Sequence, residues 1–200
     1  MDMASCHCFR DRSYDPDNRF AADDYLLATS YNSLIARTFG ISKGEIIMKK
    51  MRGGVNGNDL LIGLFLGATC GRSPELLLAI HDDGGTWQQI TSSACGDKKS
   101  NDPALSALAQ GNDARTVALI TDFMLKKRYP PPEQAIKKIR SRLADDKKVA
   151  LVLALAEQTG LAPDRLLTLY LDQKKSFAQI AHSHGLTPEA VGRAVLQDNP

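Results

Sequence analysis

The stretch SPELLLAIHDDGGTWQQI, from Ser73 to Ile90, is written again 89 residues later as APDRLLTLYLDQKKSFAQI, from Ala162 to Ile180. A chain that repeats itself at such an interval is restricted to folds made from one unit used twice. Gly71, Pro74, Leu77, Leu78, Ile80 and Asp83 align with Gly160, Pro163, Leu166, Leu167, Leu169 and Asp172 at an offset of 89. Upstream, Glu45 and MKKMR (Met48 to Arg52) align with Glu133 and IKKIR (Ile136 to Arg140) at 88; downstream, Trp87, Gln89 and Ile90 align with Phe177, Gln179 and Ile180 at 90. One-residue slips belong between helices, because an insertion within a helix turns its apolar face by about 100°. Apolar periodicity alone produces chance likeness, but it does not require the shared Pro, Gly, Asp and Gln positions.

The unit is helical. Apolar positions recur with helical period, strand alternation is missing, and the punctuation is that of helix ends. Ser42-x-x-Glu45 reads as a capping box, while Ser73-Pro74 and Thr187-Pro188 place a hydroxyl before a proline at the first helical position. Gly40, Gly53, Gly71, Gly160 and Gly185 read as stops. The pattern predicts helices near 21–38, 43–52, 58–70, 74–82, 86–94, 113–128, 132–143, 146–159, 163–172, 175–184 and 188–197. The expected fold is an all-α multi-helical bundle, a tandem duplication of a roughly five-helix unit about a pseudo-twofold axis. Its divisions are an N-terminal arm at 1–25, repeat one at 26–95, a polar linker at 96–112, and repeat two with a C-terminal helix at 113–200. The repeats are expected to pack as one globular unit, since neither buries its faces alone.

Composition narrows the function classes. At 43% apolar and 24% charged residues over 200 positions, the chain matches globular averages, so disordered and fibrous classes are set aside. No apolar run reaches the roughly 20 residues that span a bilayer. Charge is uneven: Lys126 to Lys148 holds nine cationic residues against three acidic ones, within a chain of net charge +2. Small residues precede Cys6 as at the end of an export signal, but a basic start and an apolar stretch are missing. The expected location is therefore periplasmic or exported if such a signal has been removed, and cytoplasmic otherwise.

The motifs Gly40 to Ile46, Asp59 to Ile62, Ser73 to Glu75 and Thr86 to Ile90, with CHCFRDRSYDP (Cys6 to Pro16) ahead of them, carry a resemblance. The pattern resembles a helical repeat of uncharacterised bacterial proteins, many of them exported. The resemblance covers about half the chain and implies no activity. Repeat two departs from it, with Phe177 for Trp87 and Gln173-Lys174-Lys175 for the Gly-rich turn.

Candidate sites follow from residue type and position. Trp87, Gln89, Phe177 and Gln179 stand at equivalent places and are candidates for a groove between repeats; core aromatics and helix caps are the competing reading. The stretch Phe177 to Val195 resembles a DNA-reading helix-turn-helix, with Ile180, Ala181, Gly185, Leu186, Val191 and Ala194 where such a pair needs apolar, small and turn residues. Its second helix offers Glu189, Arg193 and Gln197 but no Lys, so phosphate attraction would have to come from Lys137, Lys138, Arg140, Arg142, Lys174 and Lys175 together with Arg193. Cys6-His7-Cys8 offers two metal ligands, with further ones from Cys70, Cys95, His81, His182 or His184; a disulfide among the four cysteines is the alternative. Asp15 to Asp24 lacks the Gly and terminal Glu of a calcium loop, and Gly53 to Asp59 lacks the Lys of a phosphate cradle. With no recognisable catalytic constellation, the sequence reads as a non-enzymatic interaction or structural module without a cofactor. A protein partner is expected first, DNA binding through 177–195 second, and metal binding at the N-terminal cysteines third.

Overall fold

The computed structural model describes residues 11–51, 53–96, 101–129 and 133–197. Among them are twelve α-helices and no strand. In chain order these are α1 (Asp23–Phe39), α2 (Lys43–Met51), α3 (Gly57–Cys70), α4 (Pro74–Asp82), α5 (Trp87–Cys95), α6 (Pro103–Ala109), α7 (Asp113–Arg128), α8 (Glu133–Arg140), α9 (Asp146–Thr159), α10 (Pro163–Leu167), α11 (Phe177–Ser183) and α12 (Pro188–Leu196). A π-helical turn, Thr168–Asp172, continues α10.

The helix ends are set by the residues that mark them in the sequence. Ser73, Thr86, Ser176 and Thr187 each accept a backbone N–H from the first turn of the helix they precede. Gly71 and Gly160 close α3 and α9 in the left-handed conformation, both at φ 70°. A Cβ there would cost energy, which glycine avoids.

One helix was not expected. Residues 96–112 read as a linker, but Asp102 caps Ala104 and Leu105, Pro103 opens the helix, and α6 buries Ala104, Leu105, Ala107 and Leu108. The polar approach to this segment hid a short apolar helix that carries the same cap-and-proline start as α4.

The chain forms two compact units. One is Met48–Phe123; the other joins the residues up to Ile47 to those from Met124 onward. In the first, α3 packs on α4 and α5, and α5 on α6. Gly63 and Gly67 allow the approach of α4: a Cβ at Gly67 would lie 2.7 Å from the Pro74 ring. The second unit is centred on α1, which packs on α12, α9 and α11, with α8 and α10 against α9. Thr29, Ser30, Asn32 and Ser33 are buried along with Leu26, Leu34 and Ile35, so α1 is covered on nearly all sides. Its small polar residues permit close packing, and Gly192 of α12 sits where a Cβ would come 2.8 Å from Thr29 Oγ1. The sequence division assigns α1 to repeat one, whereas its packing partners α9, α11 and α12 come from repeat two.

Candidate functional site

Two corners with a common framework occur, one in each unit. In Met48–Phe123, Trp87 is the first residue of α5 and is 1% exposed. Its indole N–H donates to Asp59 Oδ1 at 2.9 Å, and its ring stacks on His81 with centroids 4.4 Å apart. His81 Nε2 lies 3.3 Å from the same Asp59 oxygen, and Nδ1 lies 2.7 Å from the Gly85 carbonyl. Asp113, the exposed first residue of α7, lies close enough to feel the charges of Asp59 and His81. Burial pushes its carboxyl above the usual range, the nearby Asp59 charge adds to this, and His81 opposes it.

In the other unit, Phe177 is the first residue of α11 and is fully buried. Its ring stacks on Tyr170 at 4.0 Å. The Lys148 ammonium lies 5.4 Å from the Tyr170 ring centroid, and its hydrogen bond with Tyr170 raises its pKa against the opposing effect of burial. Asp23, the first residue of α1, accepts the backbone N–H groups of Phe177 at 3.2 Å and Ala178 at 2.7 Å. Burial raises the Asp23 carboxyl, and these two bonds oppose the rise. Asp23 therefore satisfies donors at the start of a helix to which it does not belong.

The residues singled out in the sequence are placed as follows. Trp87 and Phe177 fill the cores of their own units. Gln89 completes a capping box with Thr86, while Gln179 Oε1 is buried with no hydrogen-bond partner among the described residues. Within the basic stretch, Lys138 pairs with Asp164, Arg140 with Asp146 at 2.7 Å, and Arg142 with Asp172 at 3.0 Å. Lys137 and Lys174 are exposed, Lys175 is half-buried, and Lys174 takes a positive φ of 55°. In α12, Val191 and Val195 face the core, and exposed Arg193 binds Glu189 one turn earlier at 2.9 Å.

Cys70 and Cys95 form a disulfide that joins the last residues of α3 and α5. Cys6 and Cys8 lie outside the described residues. Among the described residues no group of three or more His, Cys, Asp or Glu side chains is arranged to hold a metal ion, and no helix is long and apolar enough to cross a membrane.

Sequence reasoning singled out His81 only as a possible metal ligand and missed Asp59, Asp113, Asp23, Lys148 and Tyr170 as site residues. A signal was present, since 89 residues separate Asp59 from Lys148 and His81 from Tyr170, and 90 separate Asp23 from Asp113. The identities differ too much at these places for side-chain likeness to reveal them. Compared with protein-family models, curated proteins and solved structures, the chain matches none.

Proposed function

We propose that the chain is a non-enzymatic helical interaction module, built as a tandem duplication whose copies keep one framework and carry different surfaces. The observation that carries the duplication is a pair of helix endings. In α4, Asp83 N–H bonds the Ala79 carbonyl and Gly85 N–H bonds that of Ile80; after α10, Gln173 N–H bonds Thr168 and Lys175 N–H bonds Leu169. The second pair spans one residue more in each bond. The π turn is the geometry that absorbs a single inserted residue in a helix, so the slip from 89 to 90 falls inside a helix and leaves Tyr170 stacked on Phe177 as His81 is on Trp87.

Further details support the same reading. Lys49 pairs with Glu75 at 2.7 Å, and 89 residues later Lys138 pairs with Asp164. That offset for α2 and α8 is one more than the likeness of MKKMR and IKKIR suggests. The helix order also divides as α1–α6 and α7–α12, so each copy has six helices rather than five. The pseudo-twofold relation between copies belongs to this proposal, as does kinship with the bacterial helical-repeat proteins.

The surfaces differ. Leu76 and Ile80, one turn apart on α4, are 57% and 42% exposed. The equivalent positions in the second copy are Arg165 and buried Leu169. An exposed apolar pair favours a protein partner, while the carboxylates on Lys138, Arg140, Arg142 and Arg193 reduce the charge free to meet phosphates and disfavour DNA. The Cys70–Cys95 bond fits an exported protein.

A photo-crosslinking residue at Leu76, compared with one at exposed Lys147, tests the reading in cells that make the protein. A protein adduct at position 76 that Ile80→Glu abolishes is the expected result. No adduct, or salt-sensitive DNA retention lost in Lys137→Gln/Lys138→Gln, overturns it.

A further inference from the structure

The unit built around α1 contains a cavity of about 560 Å³ whose lining includes Arg37, Lys43, Lys127 and Arg128 and, among the described residues, no acidic one. That volume lies within the roughly 300–1,000 Å³ of small-molecule sites. Ala36, Ile41 and Leu196 give it an apolar wall.

Part of the charge serves the fold. Arg37 donates to the Leu196 carbonyl at 3.0 Å and Lys127 to the Thr38 carbonyl at 3.2 Å, at the C-terminal ends of α12 and α1, where cations complement the helix dipole. Arg128 binds both Glu157 oxygens at 2.8 Å and the Val195 carbonyl at 3.1 Å, so its charge is matched. Lys43 has no such use. It is the first residue of α2, the end at which the dipole disfavours a cation. It is half-buried, its ammonium donates to the uncharged Thr29 hydroxyl, and burial holds its pKa below the ordinary lysine value. Among the described residues, two acidic side chains near it have other partners: Glu189, whose charge favours protonated Lys43, binds Arg193, and Glu45 accepts the Ser42 N–H.

A lysine held at the unfavourable end of a helix, facing a cavity with three other cations, is costly for the empty fold and favourable once an anion enters. We propose that this cavity binds a small organic phosphate, with Arg37, Lys43 and Lys127 around the phosphate group and Ala36, Ile41 and Leu196 against the organic part. The cavity exceeds what a bare phosphate fills, which is why an organic ester is favoured over the inorganic ion.

Calorimetric titration of the full chain with phenyl phosphate and with inorganic phosphate, at constant ionic strength, is the test. Saturable binding is expected, tighter for phenyl phosphate, and weakened about tenfold or more by removal of one charge-assisted contact in Lys43→Gln or Lys127→Gln. Exposed Lys147→Gln should leave affinity unchanged. Lys127 is also exposed, so its variant folds even if Lys43→Gln does not. The proposal is overturned if neither probe saturates, if Lys127→Gln binds as the parent does, or if Lys147→Gln weakens binding equally, which would mark diffuse attraction.

Discussion

Single residues show where charge is used for the fold. The Lys49 ammonium beside Glu75 lowers that carboxyl to about 2 from an ordinary 4.5. A carboxyl lowered on folding contributes stability that is complete above its unfolded value and lost as pH falls through the folded one. The window is therefore about pH 4.5 down to about 2. Glu75 is 64% exposed, so screening limits the contribution to a few tenths of a kcal/mol. Glu75→Gln should flatten the urea midpoint over that window, and high salt should do the same to the parent. Arg128 is a stronger case, with a guanidinium 4% exposed that ties Glu157 of α9 and the carbonyls of Ala194 and Val195 to the end of α7. Arg128→Met leaves Glu157 and those carbonyls without their donor and should cost about 3 kcal/mol in chemical denaturation. Pairing it with Glu157→Leu should recover part of that loss. A variant as stable as the parent would show that the bridge adds nothing.

Helices show what the sequence could and could not disclose. Caps were legible because their mechanism is local: Thr86 with Gln89, Ser73 before Pro74 and Thr187 before Pro188 need only a few neighbouring residues. The apolar faces of α3 and α9 were legible for the same reason. The π turn was not, because no local residue pattern in Thr168–Asp172 marks it until the hydrogen bonds are traced. Neither were the carboxylates on the basic stretch, since Asp164, Asp146 and Asp172 come from other elements, or the choice of Cys70 and Cys95 as partners, which spacing alone leaves open. The corners went unread because their polar members are unlike, Asp59 and His81 in one and Lys148 and Tyr170 in the other. Two expectations belong at this level. Gly192→Ala pushes a methyl into Thr29, which is fully buried, and should cost about 1–3 kcal/mol of stability. Opening the Cys70–Cys95 bond, with reductant or as Cys70→Ser/Cys95→Ser, frees a loop with a sequence separation of 25 and should cost about 3 kcal/mol. At the sequence offsets of 89 and 90, Thr159 and Gly185 stand where the two cysteines would fall, so the loss should appear in the melting of Met48–Phe123 and spare the protection of α9 in hydrogen exchange.

For the molecule as a whole, the all-helical class was readable from periodicity, and the division of labour among the long helices was not. No local pattern records that α1 lies with α9, α11 and α12, or that Asp113 reaches the corner of Asp59 and His81. Only the partners in space do so. Each corner thus contains the leading residue of a long helix drawn from the opposite half of the sequence. The segment between the halves, at Gly111 and Asn112, is exposed and suits a single break in the chain. Cleaved there, the polypeptide should elute and melt as the intact protein does. Produced separately, residues 1–111 and 112–200 should each lack order by circular dichroism and regain it on mixing. Neither half carries all of its own interior, and the swap of long helices makes the two pieces mutual templates.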